Sequence, residues 1–343
     1  MTITGTEVVL TGLDEIEIRQ AAPPAPGPHG VLVRTEATGV AFAEVQMRRG
    51  RYPAQPAFPF VPGYDLVGEI VAVGSESSWR VGQRVAAMSR TGAWAEHVEV
   101  RDRDLVEVPA EIDPAVAVSL VVNGVTARQL LRASGIRSGR TALVLGAGGG
   151  IGTLLMQLAA AEGVRVIGTA SARRHADLAH LGAELIDHRT EDVAARVAEL
   201  APGGVDAVFD PLGAASMRTS WRLLAPGGAL LSYGSSATLH ESGPWWRPYV
   251  GIVGLLARWE LARLLGRTGG RRARTYYVRG DARFRADLAE LFRMVTAGQL
   301  RPLIAERLGL EEAERALDLH LSGEKTGRIV LLPGSHPAGG PKC

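Results

Sequence analysis

The sequence predicts an α/β protein in which a β-rich N-terminal domain precedes a doubly wound parallel sheet with helices on both faces. Three observations carry this. Short β-branched runs broken by glycine and proline fill residues 1–120, the texture turns helical from Pro114, and strand-like and helix-like segments alternate from Thr141 onward. At 343 residues the chain is long enough for two domains, and 46% apolar against 22% charged residues suits a globular chain with a substantial core.

Taken in order, strands are expected over 31–35, 66–73, 84–87 and 97–100, and helices over 115–120 and 126–133. A strand from the short apolar run that starts at Thr141 opens the alternating half, followed by a glycine turn and a helix to Ala159. It continues as strand 164–169, helix 174–181, strand 184–186, helix 192–200, strand 207–209, helix 215–224 and strand 229–233, the last expected to leave an exposed edge. Residues 243–279 are less regular. The aromatic run 243–249 and the apolar stretch to Leu265 fit either an amphipathic cover over a pocket or ordinary core helices, and Arg247, Arg258, Glu260 and Arg263 argue against a membrane span. Arg271, Arg272 and Arg274, beside Gly269 and Gly270, read as a solvated loop. Helices over 282–297 and 310–322 and a strand over 328–332 follow, and the polar, Pro- and Gly-rich residues 334–343 are expected to be disordered.

The segment that points to chemistry is residues 141–159, TALVLGAGGGIGTLLMQLA. A strand, a glycine turn and a helix hold the pyrophosphate of a dinucleotide: glycine lets backbone turn sharply and approach the phosphates, whose charge meets the unpaired N–H groups and dipole of the helix. Ala147 stands where the first glycine of G-x-G-x-x-G would be, so the candidate contacts are Gly149, Gly150, Ile151 and Gly152. The run 164–169 completes a βαβ unit. An NAD site usually carries Asp or Glu at the end of that second strand, whereas here Ala170, Ser171, Ala172, Arg173 and Arg174 follow. A hydroxyl and two guanidinium forks suit a 2′-phosphate, so NADPH is the expected cofactor; a solvated helix start is the alternative for the arginines. Gly234, after the 229–233 strand, joins the cofactor set.

Composition excludes other classes. The net charge of +2 gives no argument for nucleic acid, and only Lys325 and Lys342 among the 38 basic residues are lysine. A single cysteine, Cys343, forms no disulfide within the chain and no thiolate-rich metal site, and none of the eight histidines falls into a zinc spacing. No secretory signal is read at the N-terminus, so a cytoplasmic location is expected.

GVAFAE from Gly39, RRGRYP from Arg48, PFVPGYDLVG from Pro59, VGQRV from Val81, NGVTA from Asn123 and the glycine loop occur in the order seen in medium-chain dehydrogenases/reductases. From residue 7 to 333 the chain most resembles the zinc-independent quinone oxidoreductases and enoyl reductases. The resemblance implies a GroES-like catalytic domain over 1–120, completed by 280–333, and a Rossmann NADPH-binding domain over 121–279. It also departs. Ala41 and Tyr64 stand where zinc-dependent relatives carry Cys and His, and quinone oxidoreductases commonly have Asn at the position of Ala41 and Tyr at that of His188. His188 is then either a substitute donor near the 2′-phosphate or a surface histidine. Asn123 and Thr126 lie beside the nicotinamide by resemblance, unless they cap a helix. Tyr52 and Tyr64 are the catalytic candidates, or else packing tyrosines with satisfied hydroxyls.

Without zinc a carbonyl is polarised by hydrogen-bond donors alone, which suits an electron-poor alkene or quinone better than alcohol oxidation. The resemblance therefore implies NADPH-dependent hydride transfer to a conjugated acceptor, with a proton from a tyrosine or water. A redox-neutral isomerase or cyclase, or a non-catalytic NADPH-binding protein, are the alternatives. Trp245, Trp246 and Tyr249 are expected to fold over the cleft and favour a bulky, apolar substrate. A homodimer is expected by family analogy and from the exposed sheet edge.

Overall fold

The computed structural model describes residues 4–53, 55–239 and 243–334, so the expected disorder of the tail beyond residue 334 lies outside the described residues. The chain divides into two compact units, one holding residues up to Val125 together with those from Arg279 onward, the other Thr126–Val278.

In the first unit, β1 (Gly5–Gly12) and β2 (Glu15–Ala21) form an antiparallel hairpin that turns at Asp14, whose φ is +56°. Then come β3 (Gly30–Val40), α1 (Phe42–Arg48), β4 (Asp65–Val73), β5 (Arg84–Met88), β6 (His97–Arg101), β7 (Val106–Glu107) and α2 (Pro114–Ser119). Alternate residues along neighbouring strands bury one face: Val31 and Val33, Leu66, Val85 and Ala87, and Val98 and Val100 share one core cluster. Asp113 caps α2 by accepting from Val116 N at 3.1 Å, with Pro114 in the first turn.

The expected break after α2 is absent. A π-turn, Leu120–Gly124, carries the chain straight into α3 (Val125–Ser134), so Asn123 and Thr126 lie inside a continuous helical run and cap nothing. By length and composition Pro114–Ser134 could cross a membrane, but 78% of its apolar window is buried inside the fold.

The second unit is a six-stranded parallel sheet. It comprises β8 (Thr141–Val144), α4 (Gly150–Ala161), β9 (Arg165–Thr169), α5 (His175–Leu178), β10 (Glu184–Ile186), α6 (Val193–Leu200), β11 (Val205–Asp210), α7 (Ala214–Leu223), β12 (Leu224–Ser232), α8 (Arg247–Leu264) and β13 (Arg272–Thr275). The strand order β10-β9-β8-β11-β12-β13 reverses direction of growth between β8 and β11, the crevice where such sheets bind ligands.

Four expectations need correction here. Residues 243–279 contain the 18-residue helix α8, whose Ile252 and Leu255 join the sheet core and whose Trp259 stacks on Trp221 with ring centroids 4.5 Å apart. The arginine run is no solvated loop: Arg272 and Arg274 lie in β13, Arg271 Nε donates to Leu224 O and Arg272 Nη2 to Ser134 O. Because β13 pairs with β12, the open edge lies one strand further out than the 229–233 run. The helix expected over 174–181 is broken into short turns around the four-residue α5.

The chain then returns to the first unit as α9 (Ala282–Thr296), β14 (Ile304–Leu308), α10 (Ala313–Ser322) and β15 (Arg328–Leu331), and β15 inserts beside β3 in a seven-stranded sheet. A buried ion pair locks this return. Arg328 Nη2 donates to both carboxylate oxygens of Asp65 at 2.8 Å, and the two residues are 2% and 0% exposed. Asp65 also accepts from Gly39 N at 3.1 Å and from Val122 N at 3.3 Å, so it satisfies β3 and the π-turn together. Gly39 is glycine because a Cβ there would overlap the Arg328 guanidinium.

Beside the pair, Glu44 is fully buried; its Oε2 accepts from Ala41 N at 2.9 Å and its Oε1 has no partner. Burial, then the charge of Asp65, pushes the Glu44 carboxyl up to about 7.

Arg328→Met is expected to strand the Asp65 charge and cost about 3–5 kcal/mol in urea unfolding of the first unit; an unchanged midpoint would contradict the lock. The folded state keeps the Glu44 proton up to about pH 7, whereas the unfolded carboxyl loses it near pH 4.5. Stability therefore falls as pH rises between those limits, by at most about 1.4 kcal/mol per pH unit. Glu44→Gln should flatten that stretch of the stability–pH curve.

Candidate cofactor site and tyrosine pair

In the second unit the glycine loop is shaped by close approaches. Gly146 holds φ +69°, and a Cβ on Gly152 would lie 2.5 Å from Gly146 O and 2.8 Å from Ala147 Cα. Gly146 N donates to Thr169 Oγ1 and Ala147 N to Thr169 O, which ties the loop to the end of β9. Gly149 occupies the N-cap of α4 without a capping side chain. The N–H groups of Gly150, Ile151 and Gly152 donate to no described residue, and the first bond of the helix is Thr153 N to Gly149 O. Three aligned donors at the positive end of a 12-residue helix can hold an anion.

The ends of β9 and β10 supply cations. Arg174 runs back over the loop, where a Cβ on Gly148 would come within 2.6 Å of its Nη1. Burial lowers its pKa, followed by the like charges of Arg173 and Arg189. His188 is pushed down chiefly by burial, with Arg189 and Arg174 adding to it and Asp187 opposing. Arg173, Arg174 and Arg189 thus form one cationic cluster, with His188 beside them as a neutral imidazole, and all but Arg189 are among the sequence candidates. Ser171 is 4% exposed and starts the turn that carries the two arginines.

The nearby carboxylate, Asp187, is committed to its own turn. It accepts from Arg189 N at 3.0 Å and Thr190 Oγ1 at 2.9 Å, and the Arg189 N–H above all holds its pKa low. Gly234 follows β12, and a Cβ there would lie 3.1 Å from Pro211 O, so the ends of β11 and β12 are drawn together. Trp245 and Trp246 are 42% and 51% exposed, with Trp245 edge-on to Tyr249 at 6.2 Å.

In the first unit the two candidate tyrosines meet. Their hydroxyls are 2.8 Å apart, with ring centroids at 6.1 Å and planes at 82°. Tyr64 is 3% exposed and Tyr52 is half-buried, so one hydroxyl is held in the interior while its partner reaches toward solvent. Tyr64 directly precedes the locked Asp65, and its carbonyl accepts from Ser89 N and Arg90 N. Asn123, 7% exposed, lies in the π-turn beside Val122, whose N–H binds Asp65; Thr126 opens the second unit at 5% exposure. Among the described residues no three His, Cys, Asp or Glu side chains gather as a metal site would need.

Comparison with known proteins agrees with this architecture. Residues 27–110 match the alcohol dehydrogenase GroES-like domain family, and residues 181–331 match a family described as zinc-binding dehydrogenase. The chain is 37% identical to a quinone oxidoreductase of Pseudomonas aeruginosa, over 94% of this chain and 97% of that protein. It is 32% identical to the human synaptic vesicle membrane protein VAT-1 homolog, over 95% of this chain and 86% of the relative. A mycobacterial protein solved in complex with NADPH superimposes with a TM-score of 0.81 at 29% identity, covering 96% of this chain and all of that one.

Gly152→Ala collides with rigid backbone and is expected to abolish binding of NADPH and NADH alike. Gly148→Ala meets only the Arg174 side chain, at both Nη1 and Cδ, and pushes it off the loop, so it should weaken NADPH by about 1.5–3 kcal/mol for each charged hydrogen bond it removes and leave NADH nearly unchanged. Calorimetry in which Gly148→Ala weakens both cofactors equally would contradict the role given to Arg174.

Proposed function

The chain belongs to the medium-chain dehydrogenases/reductases of the quinone oxidoreductase type, and from that premise we propose that it is a zinc-independent, NADPH-dependent reductase of conjugated acceptors, quinones or α,β-unsaturated carbonyls. The observation that carries the cofactor choice is the cluster of Arg173, Arg174, His188 and Arg189 at the strand ends, with Asp187 already occupied by backbone and Thr190. The N–H groups of Gly150, Ile151 and Gly152 would hold the pyrophosphate, and the cationic cluster with Ser171 the 2′-phosphate. When bound, NADPH supplies hydride.

The chain's own part is to receive the acceptor and manage a proton. Tyr52 can donate a hydrogen bond to a carbonyl oxygen while accepting one from Tyr64, so negative charge arriving on that oxygen is met by a donor already backed by a second hydroxyl. The proton then passes from Tyr52 to the oxygen, Tyr64 steadies the Tyr52 oxygen by donating along the 2.8 Å contact, and water returns the proton to Tyr52, the more exposed of the two. Zinc independence is supported by Ala41 and Tyr64, neither of which offers a soft or imidazole ligand. The exposed rings of Trp245 and Trp246 support a preference for bulky, apolar acceptors. The same reading puts the protein in the cytoplasm and joins two copies through the open edge of β13.

The test is anaerobic mixing of NADPH with a panel of aromatic and small quinones and enones, read by the fall in nicotinamide absorbance and by product analysis. Turnover of an aromatic quinone or enone is expected, with Tyr52→Phe lowering kcat by about 10²–10⁴-fold. Isomerised or cyclised product with no NADPH consumed would favour the redox-neutral reading, and no turnover of any panel member would overturn the proposal.

A further inference from the structure

A depression of about 270 Å³ in the first unit lies outside everything used so far. It is lined by Met88, Ser89, Arg90, Arg103, Asp104, Gly280, Phe284 and Arg285. Three separate segments deliver its three guanidiniums: the turn after β5, the short helix Asp102–Asp104 and the first turns of α9.

None of these arginines makes a side-chain hydrogen bond or ion pair with a described residue; the backbone N–H groups do the local work. Arg90 N binds Tyr64 O, Arg285 N binds Asp281 O and Arg103 N binds Asp102 Oδ1. Asp104 is the one carboxylate in the lining, so the depression carries two uncompensated positive charges. Arg90 holds φ +71°, one of two non-glycine residues described in the left-handed region. The first turn of α9 carries Arg283 and Arg285, while Asp281 caps the helix by accepting from Phe284 N at 2.9 Å and is not part of the lining.

Three guanidiniums around one hollow, none paired with a described side chain, favour the entry of an anion. Guanidinium forks match the paired oxygens of a phosphate or carboxylate. Met88 contributes a partly exposed apolar side chain beside them, with the buried ring of Phe284 beneath. We propose that Arg90, Arg103 and Arg285 form an oxyanion-binding site that takes the charged end of an amphiphilic anion, a phosphate ester or carboxylate carried on an apolar body. This assignment stands apart from the dinucleotide cluster of the second unit and does not need the reductase reading to hold.

Titration calorimetry of the full chain with phenyl phosphate, benzoate and neutral benzamide tests it. Phenyl phosphate or benzoate is expected to bind while benzamide does not, and which of the two binds tighter separates a phosphate from a carboxylate ligand. Arg90→Gln with Arg285→Gln should weaken the bound anion at least about tenfold and leave NADPH affinity unchanged. Should that double variant melt early, Arg103→Gln alone is expected to weaken the anion in the same direction. Binding that survives these changes but disappears in Arg173→Gln with Arg174→Gln would place the anion in the dinucleotide cluster and overturn the proposal. So would the absence of binding by either anion, or equal binding of benzamide.

Discussion

The first unit depends on one buried ion pair. Asp65 and Arg328 stand 263 positions apart, and their 2.8 Å contacts hold the last strand of the chain beside β3. Charges removed from water in this way stabilise a fold only when their remaining donors and acceptors are met. On the acidic side Asp65 meets Gly39 and Val122 as well as Arg328, so a single carboxylate joins β3, the π-turn and the C-terminal return, while Nε and Nη1 of Arg328 stay buried without a partner and lower the net gain. Tyr64, its neighbour in sequence, inherits that rigidity, and this places the Tyr52–Tyr64 hydroxyl contact on a fixed base.

The second unit follows the opposite rule at its strand ends. Buried polar groups are normally paired, yet three helix N–H groups of α4 stand without a described partner; beside them, Arg173, Arg174 and Arg189 gather with His188 at the turns after β9 and β10. Such an arrangement is costly without an anion and favourable with one. The glycine loop makes the approach possible, because Gly148 and Gly152 leave no room for a side chain between Arg174, the loop backbone and the helix.

How much of this could be read from the chain follows from the range of each interaction. The glycine loop, Ser171 and Arg174 were legible because strand, turn and helix act within about thirty residues and leave a local pattern. Arg189 escaped notice since only the parallel pairing of β9 with β10 brings its turn beside Arg174. The π-turn has no composition of its own: Val121 and Val122 suit a helix end or a helix interior equally, and the buried acceptor on Asp65 decides. Likewise the arginines of β13 look solvated until Leu224 and Ser134 offer them carbonyls. Nothing in the spacing of Asp65 and Arg328 announces their pairing. In α8 the expected irregularity came from its aromatic and arginine-rich composition, whereas one apolar face against the sheet was enough to form the helix.

The central claim is that this chain uses NADPH as a hydride donor rather than as a structural ligand. Single turnover with NADPH carrying deuterium at both hydrogens of nicotinamide C4, mixed with an aromatic enone and analysed by mass spectrometry and NMR, tests it directly. The account predicts deuterium on the β-carbon of the saturated product and unlabelled solvent hydrogen on the α-carbon. Product formed with all deuterium retained in the cofactor would contradict it.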